Sequence, residues 1–153
     1  MSKERDIVVL GGSSGEHIAI RLAEILNVEL GSIETKKFPD GETYIRVLSE
    51  VSGKKVIYVN SLQRNPNDLI IETLYTLDTL KDLGAKEIHA VIPYMAYARQ
   101  DERFNPGEAV SIFSLAKLFK TVKLDASSAI RIVIWSFNSS KCNFIIESDP
   151  KLP

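Results

Sequence analysis

Four short apolar runs limit what this chain can fold into more than any other feature. They are DIVVL at 6–10, KVIYVN at 55–60, EIHAVIP at 87–93 and IRIVIW at 130–135. Each is rich in β-branched residues and does not alternate with polar ones, as strands buried on both faces do. Between them lie stretches with helical spacing. Ile18, Leu22, Ile25 and Leu26 place a helix over 16–27. Leu69, Ile70, Leu74, Leu77 and Leu80 mark a second, with Asn67 or Asp68 as its cap and Gly84 closing it. Val110, Phe113, Leu115 and Leu118 mark a third over 108–120. Strands alternating with helices imply βαβ units: an α/β fold with a mainly parallel sheet flanked by helices. Ser32–Phe38 and Thr43–Val47 read as two further strands around the acidic turn Asp40-Gly41-Glu42.

At 153 residues the chain is expected to form one domain, and 44% apolar residues suffice for a real core. A net charge of -1 gives no case for nucleic acid as a partner. No apolar run approaches the ~20 residues of a membrane span, and MSKERDIVVL has no signal-peptide core. Cys142 is the single cysteine, so a cytoplasmic location is expected. His17 and His89 are far apart. With one cysteine they do not make a metal site, and neither is assigned to chemistry. No Ser/His/Asp arrangement can be assembled, so no catalytic residue is named.

Three stretches carry possible binding chemistry. GGSSG at 11–15 joins a strand to a helix, where backbone N–H groups can receive phosphate. It lacks the Lys-Ser/Thr of a P-loop and reads better as a tight turn. FPDGE at 38–42 has the proline and glycine of a β-turn. Its alternative use is as a binding corner, with Phe38 offering a ring face to a base and Asp40 and Glu42 accepting hydrogen bonds. VIPYMAYARQDERFNPGEAVS at 91–111 starts at the C-terminal end of a strand, where open α/β sheets bind ligands. Arg99 and Gln100 there can grip phosphate oxygens and a base edge, with Tyr94 and Tyr97 in the same loop.

FPDGE, SLQRNPNDLIIETLYTLDTLKDLGA and VIPYMAYARQDERFNPGEAVS, in this order and spacing, resemble the N-terminal half of ribose-phosphate diphosphokinase, also called phosphoribosyl pyrophosphate synthase. The likeness runs from about Ile7 to Thr121. It implies a phosphoribosyltransferase-type domain in a homo-oligomeric transferase of nucleotide biosynthesis. That family moves the diphosphate of ATP to the 1-hydroxyl of ribose 5-phosphate with magnesium. ATP sits between domains, and the acidic corner reaches in from a neighbouring subunit. On this resemblance Phe38, Asp40 and Glu42 hold the adenine and its surroundings, and Arg99 and Gln100 contact the nucleotide from their own subunit.

The sequence also departs from the family. The Asp-Leu-His motif whose histidine helps bind magnesium is absent, as no histidine follows His89. The family's C-terminal domain and its mobile basic segment are likewise expected to be missing. The expected division is 1–121 as the family-like domain and 122–153 as an atypical tail. That tail holds one strand, an irregular segment, the single tryptophan, six serines and loosely ordered last residues. A reading-frame change or a truncated gene is its expected origin. The expectation is therefore a diphosphokinase domain that does not turn over alone. Two alternatives stand beside it: a non-catalytic regulatory subunit in a hetero-oligomer with a full-length relative, and a stand-alone adenine nucleotide-binding module.

Overall fold

A computed structural model describes residues 4–122, 129–134 and 145–148. The elements are β1 (Glu4–Gly11), α1 (Glu16–Leu26), β2 (Val28–Leu30), β3 (Ile33–Lys37), β4 (Thr43–Val47), β5 (Lys55–Val59), α2 (Pro66–Asp82), β6 (Glu87–Ile92), α3 (Ser111–Thr121), β7 (Ala129–Ile134) and β8 (Ile145–Ser148). Six strands form one sheet in the order β2-β1-β5-β6-β7-β8. All neighbours are parallel except β7 and β8. β3 and β4 form a separate antiparallel hairpin. The α/β fold with a mainly parallel, helix-flanked sheet is the one expected.

The apolar runs behave as double-faced strands. Within β1, Val8 and Leu10 join the core that contains Leu69, Leu77, Leu80, Ile112, Leu115 and Phe119. Val9, between them, joins Ala19 and Ala23 on the other face. A period of two thus sends neighbouring side chains to opposite helical layers: α1 covers one face, and α2 and α3 the other.

Several local expectations shift. α1 turns Ala19 and Ala23 inward and leaves Ile25 73% exposed. The reason is close approach: a Cβ on Gly11 would lie 2.6 Å from the Glu16 Cα and 3.1 Å from the Ala19 Cβ. Only small residues fit that seam. α2 begins with Pro66 in its first turn and Asn65 as N-cap, ahead of the expected Asn67 or Asp68. Proline suits that position because its missing N–H would have no helical partner anyway. Gly84 follows the helix end with φ 81°, as a closing glycine should. α3 starts at Ser111, later than expected, because Gly107 (φ 86°) and Glu108 belong to a preceding turn. It buries Ile112, Leu115 and Phe119, while Phe113 and Leu118 are half exposed. β2 and β8 were not anticipated. Trp135, Cys142 and the final residues of the expected tail lie outside the described residues. No helix among the described residues is long and apolar enough to cross a membrane.

Candidate functional site

The acidic corner is locally determined. The amide of Gly41 donates to the Phe38 carbonyl at 2.9 Å, and the amide of Phe38 donates to the Glu42 carbonyl at 2.9 Å. Gly41 takes φ 93°, open to glycine. One Asp40 oxygen accepts the Glu42 amide at 3.2 Å, an Asx-type closure that rigidifies the turn. Phe38 meets Tyr44 edge-on, ring centroids 5.7 Å apart and planes at 82°. The Lys36 ammonium sits 4.5 Å from the Tyr44 ring centre. Phe38 is thereby held on one side by Tyr44 while 44% of it stays exposed. Asp40 and Glu42 are exposed beside it.

Lys37 fastens this corner to the body of the domain. Its ammonium donates to the Gly41 carbonyl at 3.0 Å and the Thr43 hydroxyl at 2.9 Å, and lies 2.7 Å from the Asp68 carboxylate on α2. The hairpin rests on the core through Ile33 and Val47. Because α2 leaves the end of β5, its first turn lies at the C-terminal edge of the parallel strands, and the corner lies there with it.

The loop after β6 reaches the same edge. The Tyr94 carbonyl accepts the Leu62 amide at 3.0 Å, and Met95 and Ala96 are buried. Tyr97 then takes φ 63°, an uncommon backbone for a non-glycine residue. Its hydroxyl donates to the Asn67 side-chain oxygen on α2. The Gln100 amide donates to the Tyr97 carbonyl at 3.1 Å, so Arg99 is carried outward in an exposed turn. Further along, Glu108 folds back onto Asn105 and Phe104. Hydrogen bonds from the Asn105 side chain, then from its amide, hold the Glu108 carboxyl below the usual range.

The five sequence-predicted site residues thus fall in two groups at one edge of the sheet. Among the described residues no hydrogen bond or ion pair joins Phe38, Asp40 or Glu42 to Arg99 or Gln100 within the chain. Each group is tied instead to the first turn of α2, through Asp68 and Asn67. Sequence reading named those two residues only as possible caps and missed Lys37 altogether. Their contacts span dozens of residues, so local pattern carried no sign of them. A cleft of about 380 Å³ opens beside Tyr97, between Asn67, Ile71, Ser114 and Leu118.

The glycine loop proves structural. The Ser13 amide and hydroxyl donate to the two Glu72 oxygens at 2.8 and 2.5 Å, and the Ser14 amide donates to Asn60 at 3.1 Å. Glu72 is 3% exposed. The protein's own carboxylate therefore takes up donors that a phosphate would need. The Tyr58 hydroxyl lies among Asn60, Thr73 and Thr76 without meeting a partner in hydrogen-bond geometry among the described residues. Burial, then the Glu72 charge, pushes its pKa well up. His17 is exposed, whereas His89 lies 3.3 Å from Glu87, a partner two residues away that sequence reading did not assign. Among the described residues no group of three or more His, Cys, Asp or Glu is placed to hold a metal ion.

Known proteins resemble this chain closely. The family model described as the N-terminal domain of ribose phosphate pyrophosphokinase matches residues 7–122. A ribose-phosphate pyrophosphokinase of Methanobrevibacter smithii is 43% identical over 118 residues, 77% of this chain and 39% of that protein. Another, of Ureaplasma parvum, is 34% identical over 139 residues, 91% of this chain and 41% of that one. The crystal structure of phosphoribosylpyrophosphate synthetase from Mycobacterium smegmatis superposes with a TM-score of 0.74 at 29% identity. It covers 85% of this chain and 42% of that one. The chain spans about two-fifths of the length of the curated relatives it matches. By the extent of the family match and the identity to these relatives, the chain belongs to the ribose phosphate pyrophosphokinase family, as its N-terminal domain.

Proposed function

We propose that this domain holds the adenine nucleotide of a ribose-phosphate diphosphokinase, and that Phe38, Asp40, Glu42, Arg99 and Gln100 are its contacts. The observation that carries the reading is the prearranged corner. Phe38 packs against Tyr44 in a T-shaped pair yet stays 44% exposed, with two exposed carboxylates on the same turn. Base stacking on such a ring contributes about 1–3 kcal/mol, and the corner's internal bonds lower the ordering cost of binding. Asp40 and Glu42 accept from amino and hydroxyl groups. Arg99 supplies a planar, permanently charged fork for phosphate oxygens. Following the family resemblance, a corner from one chain meets an Arg99–Gln100 loop from another, in an oligomer.

Transfer of a diphosphate depends on positioning and charge neutralisation. The described residues offer no preformed cluster for the magnesium that the family uses. The five proposed contacts all lie between residues 38 and 100. Nucleotide binding alone, in a regulatory subunit or a stand-alone binder, would draw on the same residues. Calorimetric titration with ATP tests the reading. Arg99→Ala is expected to weaken binding tenfold or more. Arg46→Ala, on an exposed position of β4, is expected to stay within twofold of wild type. Equal losses from the two changes would remove Arg99 from the site. A chain that binds no ATP removes the nucleotide reading.

A further inference from the structure

α2 starts without a side-chain cap. Asn65, at the N-cap, makes no side-chain hydrogen bond to the first turn. Arg64, just before it, has φ 73°, a left-handed backbone that non-glycine residues adopt at a cost. An uncapped first turn is the part of a helix that opens most easily. Two contacts from distant parts of the chain hold this one. Tyr97 donates its hydroxyl hydrogen to Asn67. Lys37 pairs with Asp68 at 2.7 Å. Asn67 and Asp68 are consecutive, so fraying of this turn moves both anchors together.

The far ends of these contacts reach both halves of the proposed site. Lys37 grips the corner through the Gly41 carbonyl and the Thr43 hydroxyl. Tyr97 accepts the Gln100 amide on its carbonyl and sets the course of the Arg99–Gln100 segment. We infer that Lys37 and Tyr97 are positioning residues, and that the first turn of α2 links the corner to the Arg99–Gln100 loop within one chain. The two-state element is the turn itself, formed or frayed, and both segments bias it. Lys37 and Asp68 are half exposed, and such a pair contributes little on its own. An uncapped turn opens more readily than the helix body, so small contributions matter more there.

The functional meaning rests on the nucleotide reading. Where each site takes its corner from one chain and its loop from another, a ligand that orders the loop of a chain steadies the corner that chain presents to the next site. Neighbouring sites then fill cooperatively.

The test uses the full chain without ligand and reads amide exchange by NMR. Tyr97→Phe is expected to speed exchange of the Phe38 and Gly41 amides at least threefold, although Tyr97 touches neither. Asp68→Asn should do the same, and the double variant should exchange no faster than the faster single variant. In the reverse direction, Lys37→Met should speed exchange of the Gln100 amide. Unchanged amides in β5 and β6 mark an intact fold in every variant. Corner amides at wild-type rates in Tyr97→Phe, a Gln100 amide unmoved by Lys37→Met, or multiplying effects in the double variant would each overturn the linkage. These measurements need no ATP, so a failed ATP titration removes the nucleotide reading without touching them.

Discussion

Gly15 shows how tightly single residues are specified around the first loop. A Cβ built there would stand 2.0 Å from the Val59 carbonyl oxygen and 2.9 Å from the Asn60 nitrogen. Both are backbone atoms of the central strand and its exit, so nothing flexible can give way. Gly15→Ala is therefore expected to destabilise the fold by about 2–3 kcal/mol, in the range of overpacked cores. A drop in the urea midpoint without a change of slope would show it, and a midpoint within error of wild type would contradict the packing argument. Neighbouring Ser13 is held by the buried Glu72 carboxylate. Buried charge needs such donors, since an unpaired carboxylate there would be strongly destabilising. The sequence marked GGSSG as a turn from its glycines alone. That Glu72 closes it was not legible, because the partners are 59 residues apart.

At the scale of elements, β5 and β6 are joined by charge as well as by their ladder. Lys55 and Glu87 are register partners, with their charged groups 3.4 Å apart, and His89 stands two residues along the same strand. Burial pushes the Glu87 carboxyl up. Hydrogen bonds and charge from His89 and Lys55 outweigh that and hold it below the usual range. A carboxyl lowered on folding adds stability that is present above its unfolded pKa and lost as pH falls through the folded one. Wild type is thus expected to lose more thermal stability than Glu87→Gln between about pH 5 and pH 3. Parallel pH profiles for the two proteins would exclude Glu87 as a source of acid sensitivity. Elements were legible to different degrees. The double-faced strands announced themselves by composition, and Gly84 and Gly41 marked their turns. The inner faces of α1 and α3 were legible in part: Ile18 and Leu22 pack on one core and Val110 and Leu115 on the other, whereas Ile25, Leu26, Phe113 and Leu118 stay exposed. Ala19 and Ala23 pack inward because Gly11 brings strand and helix close, and Phe119 replaces Leu118 on the buried stripe of α3.

For the whole molecule, the question is whether the proposed site is complete in one chain. The corner and the Arg99–Gln100 loop share an edge of the sheet and a helix turn, yet no bond joins them directly among the described residues. A site shared between chains makes affinity depend on assembly. Phe38→Ala is expected to weaken ATP binding severalfold in samples that sediment as oligomers, and to leave a monomeric sample unaffected. The same loss in a demonstrably monomeric sample would place Phe38 over its own chain's nucleotide and end the shared-site proposal.

The sequence by itself determined what depends on neighbours along the chain. The buried strands follow from runs of β-branched residues, the corner from Pro39 and Gly41, and family membership from residues whose order and spacing can be read directly. Only the tertiary structure decided which helix faces turn inward, that Glu72 fills the glycine loop, and that Lys37 and Tyr97 meet on one turn of α2. Those outcomes depend on close approach and on pairs dozens of residues apart, and no local periodicity encodes the distance between two segments until the sheet has brought them together.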